Sequence, residues 1–262
     1  MRGWKGPDAM KQPTGKVYLV GAGPGAPDLI TLRGADILGR ADIVFHDALV
    51  HPDVLALAAR AEKIAVGKRC GKFTTAQQFI NKRLVDAARK HPVVVRLKGG
   101  DPMLFGRAHE EIEFLVGKGI PVKITPGITA ALAAAADLGI SLTRRGKARS
   151  VAFVTPRVGE GTAESSWVRA ALAADTVAIY MGADELPEIA ARLIVAGKSM
   201  ATPVVVVENA SMPDMDLTYG TLARLPRWES RGGPALVLIG DVYGEAAAEA
   251  LRRGRLQASQ SA

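Results

Sequence analysis

Two glycine-rich stretches and one separated pair of charged residues in this sequence are candidates for ligand binding and proton transfer. The stretches are GAGPGAPD from Gly21 to Asp28 and RLKGGDPMLFGR from Arg96 to Arg107, and the pair is Asp47 with Lys68. Glycine lets the backbone turn sharply and approach a ligand closely, and a positioned carboxylate or ammonium group can transfer protons. The second stretch mixes apolar and cationic side chains, which suits a ligand with a planar part and a polar part.

The glycine loop after the first predicted strand superficially fits GxGxxA, the dinucleotide-binding fingerprint. Pro24 and Pro27 stand where a pyrophosphate would need backbone N–H donors. The prolines therefore disfavour a phosphate cradle, and with it a Rossmann dehydrogenase. A tight strand-to-helix turn explains this loop as well as any single ligand does.

Asp47 follows one predicted strand and Lys68 follows the next, so the two side chains could face one cleft. Spacing alone leaves other interpretations open, because Asp47 could form an Asx turn or a cap and Lys68 could be solvated. The four histidines show no metal-ligand spacing, and the single Cys70 excludes a Cys-rich metal site and an internal disulfide. We therefore expect no metal cofactor.

The hydrophobic pattern predicts the strands and helices that carry these candidate residues. From Lys16 on, short β-branched runs bounded by Gly or Pro alternate with helix-length segments, which predicts an α/β fold with a largely parallel sheet. Ligands of such sheets bind beyond the carboxyl ends of the strands. The strands of this half are predicted at Val17–Val20, Ile43–Phe45, Lys63–Val66, Val93–Leu97 and Val122–Ile124.

A basic, polar stretch from Thr143 to Ser150 separates this half from a second one, in which the alternation restarts. Met215 to Leu222 is predicted there as an additional antiparallel strand. The predicted organisation is a disordered N-terminal tail over 1–15, α/β domains over 16–145 and 146–246, and a basic C-terminal tail over 247–262.

The chain has 34 Lys and Arg against 26 Asp and Glu among 262 residues, a formal net charge of +8. Such an excess favours an anionic partner, which could be nucleic acid, a membrane surface or an acidic small molecule. The sequence lacks a membrane-length apolar run, a signal-peptide core and an aromatic ladder for single-stranded nucleic acid. We therefore expect a cytoplasmic protein without membrane contact, with an RNA- or nucleotide-binding module as an alternative.

Taken together, these motifs resemble the tetrapyrrole methylases that use S-adenosylmethionine, and most closely those that methylate uroporphyrinogen III. The most specific match is VRLKGGDPMLFGR at Val95–Arg107. The similarity covers nearly the whole chain, from Lys16 to Gly244. Further matching segments are VGAGPG at 20–25, LITL at 29–32, ADIVFHDALV at 41–50, GKR at 67–69, TPGITA at 125–130, YMG at 180–182, PVVVVEN at 203–209 and PALVLIGDV at 234–242.

The resemblance implies two α/β domains with the active site in the cleft between them, usually in a homodimer. It implies methyl transfer from two S-adenosylmethionines to C2 and C7 of uroporphyrinogen III, giving precorrin-2 on the routes to cobalamin and sirohaem, with S-adenosylhomocysteine as by-product. Asp47 matches the family's proton acceptor and Lys68 its proton donor. The positions that match its cofactor contacts are Pro24, Gly99, Gly100, Asp101, Leu104, Thr129, Ala130, Met181 and Ala210.

Several positions depart from the family pattern. Arg144 stands where a histidine is usual, Pro156 and Arg157 stand where a TGH motif is usual, and Ala210 replaces a frequent glycine. AHEE at 108–111 likewise replaces GGEE. These departures leave the cofactor assignment intact and bear on the substrate contacts and the extent of methylation. A methyltransferase acting on a later precorrin stays an alternative.

Arg107 and Arg144 are candidates to hold the carboxylates of the tetrapyrrole substrate. The related ribosomal-RNA methyltransferases carry an SDAG type of sequence where this chain has GGDP at 99–102. The sequence therefore resembles them less than it resembles the tetrapyrrole methylases. We accordingly expect a small-molecule substrate and no nucleic-acid partner.

Overall fold

The computed structural model describes residues 14–66, 73–157, 166–250 and 252. By their contacts the described residues fall into two compact units, which divide between Ile128 and Thr129. The predicted tails at 1–15 and 247–262 lie mostly outside the described ranges, and helical turns cover 244–250. No helix in the described part of the chain is long and apolar enough to cross a membrane.

Unit 1 contains a five-stranded sheet with the order β3-β2-β4-β1-β5, in which every neighbouring pair is parallel. The predicted parallel α/β sheet is therefore confirmed for this unit. Its strands are β1 (Lys16–Gly21), β2 (Ile43–His46), β3 (Glu62–Ala65), β4 (Val93–Lys98) and β5 (Val122–Thr125), and its helices are α1 (Leu32–Gly39), α2 (Pro52–Ala56), α3 (Phe73–Ala88) and α4 (Ala108–Gly117).

Helices cover both faces of this sheet. Val94 of β4 packs with Leu84 of α3 and Leu115 of α4 on one face. Val95, one residue on, packs with Leu38 of α1 on the other face, because successive side chains of a strand point to opposite faces. Because helices cover both faces, ligands cannot reach the faces of the sheet. In such sheets ligands bind at the edge formed by the carboxyl ends of the strands and the loops that follow them.

Unit 2 contains a mixed sheet with the order β6-β7-β10-β8-β9. Only β6 and β7 pair in parallel, whereas β7-β10, β10-β8 and β8-β9 are antiparallel. The alternation of strands and helices in the sequence of this half does not predict the antiparallel pairing of β7, β10 and β8. It does predict β9 as an antiparallel strand. The elements are α5 (Ala130–Leu138), β6 (Val151–Val154), α6 (Trp167–Ala173), β7 (Thr176–Ile179), α7 (Leu186–Val195), β8 (Pro203–Glu208), β9 (Asp216–Thr221) and β10 (Ala235–Gly240).

Helix α5 belongs to unit 2, whereas the predicted boundary between 145 and 146 assigns it to the first domain. Its small side chains allow close packing, and Ala131 and Ala134 are fully buried in a cluster with Val205 and Leu238 of the second sheet. Helices α6 and α7 contribute to a separate cluster on this sheet, which includes Trp167.

Candidate active site

The loops after β1 and β4 are joined backbone to backbone at the carboxyl edge of unit 1. Gly100 N donates to Gly23 O at 2.7 Å, and Gly23 N donates to Gly100 O at 3.3 Å. Both residues have positive φ angles, 83° at Gly23 and 64° at Gly100, which glycine adopts without strain. Pro24 and Gly99, two of the predicted cofactor contacts, flank this pair and are partly exposed.

The loop after β5 closes on the same two loops through Gly127. A Cβ on Gly127 would collide with the carbonyl oxygen of Gly100 and lie 2.9 Å from Gly21 Cα. Asp101 links the loop after β4 to the loop after β5, because its Oδ2 accepts a hydrogen bond from Gly127 N at 2.8 Å. Its Oδ1 accepts from Met103 N at 2.7 Å within its own loop. We call this arrangement of Gly21, Gly100, Asp101 and Gly127 the glycine stack.

Beside the glycine stack, the segment that contains Leu104 presents apolar side chains outward. Met103 is 58% exposed and Phe105 is 38% exposed. Phe105 and Arg107 have φ angles of 53° and 54°, a left-handed conformation that is rare for bulky residues and occurs at functional sites. The strained turn therefore exposes apolar side chains next to the predicted cofactor contacts.

Asp47 lies directly after β2, and its carboxylate is held by Arg96 of β4. Arg96 Nη2 donates to Asp47 Oδ1 at 2.5 Å. The Arg96 side chain is 4% exposed and that of Asp47 is 31% exposed. The charge-assisted hydrogen bond orients Asp47 at the accessible edge of the sheet, as a general base requires.

Behind Asp47 lies a buried group of charged and amide side chains. Arg96 and Lys98 fall on the same face of β4 as Val94, beneath α4. Arg96 Nε donates to Glu111 Oε1 at 3.2 Å, and Lys98 Nζ donates to the same oxygen at 3.3 Å. Gln77 of α3 donates to it as well, at 3.0 Å. A single carboxylate oxygen of α4 thus binds both buried cations of β4.

The net pKa shifts of these two cations are opposite, although burial by itself lowers the pKa of both. Burial lowers the pKa of Lys98, and the nearby Arg96 charge lowers it further, so the carboxylates only partly offset the shift. Burial also opposes the charge on Arg96, but Asp47 and Glu111 outweigh it and raise the pKa of this guanidinium. Arg96 is therefore a permanent cation at the base of the site.

The sequence interpretation included Arg96 and Lys98 in a candidate stretch without assigning either a role, and it missed their buried partner Glu111. Two signals could have found them. Arg96 and Lys98 stand two apart in a strand that is otherwise apolar, so they share one buried face. Glu111 lies three residues after buried Ala108 and four before buried Leu115, on the buried stripe of α4.

Lys68, the predicted proton donor, lies outside the described residues. Its strand does neighbour that of Asp47, because β2 and β3 pair in parallel and Val66 N donates to His46 O at 2.9 Å. The role of Lys68 stays a prediction.

Within unit 2, the Tyr180 hydroxyl joins the end of β7 to the start of α5. It lies 2.8 Å from Thr129 Oγ1 and accepts from Ala131 N at 3.1 Å. Burial raises the pKa of Tyr180 in spite of these hydrogen bonds, so the hydroxyl keeps its proton at neutral pH. Thr129 and Ala130, two predicted cofactor contacts, are thereby fixed to the strand that precedes Met181.

Met181 and Ala210, the other predicted contacts of unit 2, lie in strained turns. Met181 has a φ of 57° and is 42% exposed. Ala210 is buried between Asn209 and Ser211, whose φ angles are 53° and 68°. Ser211 N donates to Asp137 Oδ2 of α5 at 2.8 Å, so this turn is also tied to α5.

The two candidate substrate cations are already paired. Arg107 donates to both carboxylate oxygens of Glu110, at 2.8 and 2.6 Å. Arg144 donates to Glu245 at 3.1 Å. Both pairs are exposed to solvent, and exposed ion pairs are weak enough to exchange partners. Among the described residues, no group of His, Cys, Asp or Glu could hold a metal ion.

The comparison with protein families decides the assignment. The profile of the Tetrapyrrole (Corrin/Porphyrin) Methylases matches residues 16–226. The chain belongs to the tetrapyrrole methylase family. The family resemblance predicted from the glycine-rich motifs is therefore confirmed.

Solved tetrapyrrole methylases share this fold. A uroporphyrin-III C-methyl transferase from Thermus thermophilus, complexed with S-adenyl homocysteine, is 41% identical with a TM-score of 0.77, covering 87% of this chain and 98% of that one. The cobalt precorrin-4 methyltransferase CbiF is 30% identical with a TM-score of 0.75, covering 87% of this chain and 95% of that one.

Curated relatives of this tetrapyrrole methylase include longer proteins. The siroheme synthase of Psychrobacter arcticus is 45% identical over 238 residues, which is 89% of this chain and 43% of that protein. The siroheme synthase of Azotobacter vinelandii is 45% identical over 232 residues, which is 87% of this chain and 50% of that protein. The chain thus spans about half the length of these curated relatives.

The glycine stack gives a test of the site's construction. We expect Gly127→Ala to lower the free energy of unfolding by about 1–3 kcal/mol, because the added methyl group overpacks the backbone of Gly100 and Gly21. Urea denaturation measures the change. The matched control is Gly117→Ala, where a Cβ meets nothing within 4 Å. Equal stability of the two variants would contradict the close backbone packing.

Proposed function

We propose that this chain transfers methyl groups from S-adenosylmethionine to C2 and C7 of uroporphyrinogen III, giving precorrin-2 for sirohaem or cobalamin synthesis. The observation that carries the proposal is the similarity, over 98% of its length, to a uroporphyrin-III C-methyl transferase solved with S-adenyl homocysteine. The similarity to siroheme synthases over about half of their length supports the same chemistry.

The residues that we propose to hold S-adenosylmethionine fit such a group. In unit 1, Gly99 and Gly100 leave room for a ligand beside a backbone that Asp101 fixes. In unit 2, Met181 offers an exposed, soft apolar contact. S-adenosylmethionine supplies an electrophilic methyl group on a sulfonium. Holding the reacting atoms in line is worth on the order of 7–11 kcal/mol, so positioning should dominate the rate enhancement.

We assign the proton acceptor to Asp47 and the proton donor to Lys68. When the carbon–carbon bond forms, the methylated ring must lose a proton, and a carboxylate held at the accessible edge by Arg96 can take it. A positioned base contributes roughly 10²–10⁴ in rate. Arg107 and Arg144 can exchange their exposed glutamates for substrate carboxylates, and the net charge of +8 would help attract such an anion.

A second candidate is a methyltransferase acting on a later precorrin. The similarity to cobalt precorrin-4 methyltransferase, with 30% identity over 87% of this chain, favours it as the alternative. The two candidates share the cofactor and differ in the substrate and in the number of methyl groups added.

The direct test is incubation of the purified chain with uroporphyrinogen III and S-adenosylmethionine, followed by mass measurement of the product. We expect a gain of two methyl groups. A gain of one would favour a relative with a different extent of methylation. No gain, with S-adenosylhomocysteine still bound, would favour a later precorrin as substrate.

Asp47→Asn tests the proposed base. We expect it to slow methylation by about 10²–10⁴-fold while S-adenosylhomocysteine binds as before, because the base acts only on the substrate proton. Turnover assays and calorimetric titration measure the two effects. Asp36→Asn, on the solvent-facing side of α1, is the matched control. Unchanged turnover in Asp47→Asn would remove Asp47 from the mechanism.

We also propose that the enzyme is a homodimer. Within unit 2, half-exposed Leu132 borders a concave surface that Leu142 and Phe153 also line, and such apolar surfaces are commonly covered by a partner. Light scattering should give twice the mass of the chain. The mass of a single chain at micromolar concentration would contradict this part of the proposal.

A further inference from the structure

Glu111 is a buried carboxylate that the proposed reaction does not use directly. It lies on the first turns of α4 and is fully buried. Its Oε1 accepts from Arg96, Lys98 and Gln77, at distances of 3.0 to 3.3 Å. Its Oε2 has no hydrogen-bond partner among the described residues. A half-satisfied buried carboxylate is costly, so its presence needs a reason beyond filling space.

Arg96 connects Glu111 to Asp47, the proposed base. The guanidinium donates through Nε to Glu111 and through Nη2 to Asp47, so one rigid plane joins the two carboxylates. Arg96 Nη1 donates to its neighbour's carbonyl, Leu97 O, at 3.2 Å. With these groups engaged, the guanidinium cannot turn without breaking a hydrogen bond to Glu111.

We infer that Glu111 is a positioning residue for the base: it fixes the guanidinium of Arg96 against Asp47 and balances the Arg96 charge while Asp47 carries the substrate proton. The inference rests on the proposed function. When Asp47 changes from carboxylate to carboxylic acid, Arg96 loses one of its two counter-charges. Glu111 remains, so the buried cation is never left without an anion.

A purely structural role makes a different prediction. If Glu111 only neutralises the two cations of β4, its loss should weaken folding and act independently of Asp47. If it acts through Arg96 on Asp47, its loss should matter only while Asp47 is present as a base. A double-mutant cycle separates the two, because residues that act as a unit are non-additive.

The test uses Glu111→Gln, which keeps the shape and one acceptor oxygen but removes the charge. In the wild-type background we expect kcat for methylation to fall about tenfold or more, with the Kd for S-adenosylhomocysteine unchanged within about twofold. In the Asp47→Asn background we expect the same change to alter kcat by less than about twofold. Glu113→Gln, exposed on the same helix, is the matched control and should change neither value.

Equal fold-losses in both backgrounds would overturn the inference, as would a wild-type kcat in Glu111→Gln. If Glu111→Gln does not fold, Gln77→Met takes its place in the cycle, because it removes the α3 donor that holds Glu111.

Wild-type protein that methylates no tetrapyrrole would refute the proposed function instead. In that case the hydrogen exchange of Arg96 Nε–H, measured by NMR, tests whether Glu111 positions Arg96. Slow exchange that becomes faster in Glu111→Gln supports the inference, and an unchanged exchange rate contradicts it.

Discussion

The structure of unit 1 depends on a permanent positive charge in the interior of its sheet. Arg96 is 3% exposed in the middle strand, and a buried cation is stable only when anions lie against it. Glu111 supplies one from α4 and Asp47 supplies the other from the end of β2. The need to neutralise Arg96 thus places α4 against the sheet and orients the Asp47 carboxylate at the edge where ligands bind.

The glycine stack supplies the second constraint at this edge. Three loops approach one another too closely for side chains at Gly21 and Gly127, where a Cβ would collide with the carbonyl oxygen of Gly100. Asp101 ties the loops by accepting backbone hydrogen bonds. The predicted cofactor contacts of unit 1 therefore lie on closely packed backbone, beside Asp47, the proposed base, whose carboxylate Arg96 orients. In unit 2, the Tyr180 hydroxyl and Asp137 tie the strained turns of the remaining contacts to α5 in a comparable way.

Much of this arrangement could be predicted from the sequence. The strands of unit 1, the antiparallel β9 and the glycine loops follow from β-branched runs and turn residues. The mixed pairing of unit 2 does not, because hydrophobic periodicity marks strands without giving their order or direction. The roles of the buried charges were missed because β4 was interpreted as an apolar run that ends in a loop. Asp101 was predicted to meet a ligand group, and its hydrogen bond from Gly127 N depends on a loop distant in sequence.

We propose that the positive charge and the glycine-rich edge serve a small cofactor and an acidic small molecule, and not a nucleic acid. Parallel calorimetric titrations with S-adenosylhomocysteine and with single-stranded RNA, each at low and moderate salt, test it most directly. We expect saturable binding of S-adenosylhomocysteine that changes little with salt, and no specific RNA binding. Salt-sensitive RNA binding without binding of S-adenosylhomocysteine would contradict it.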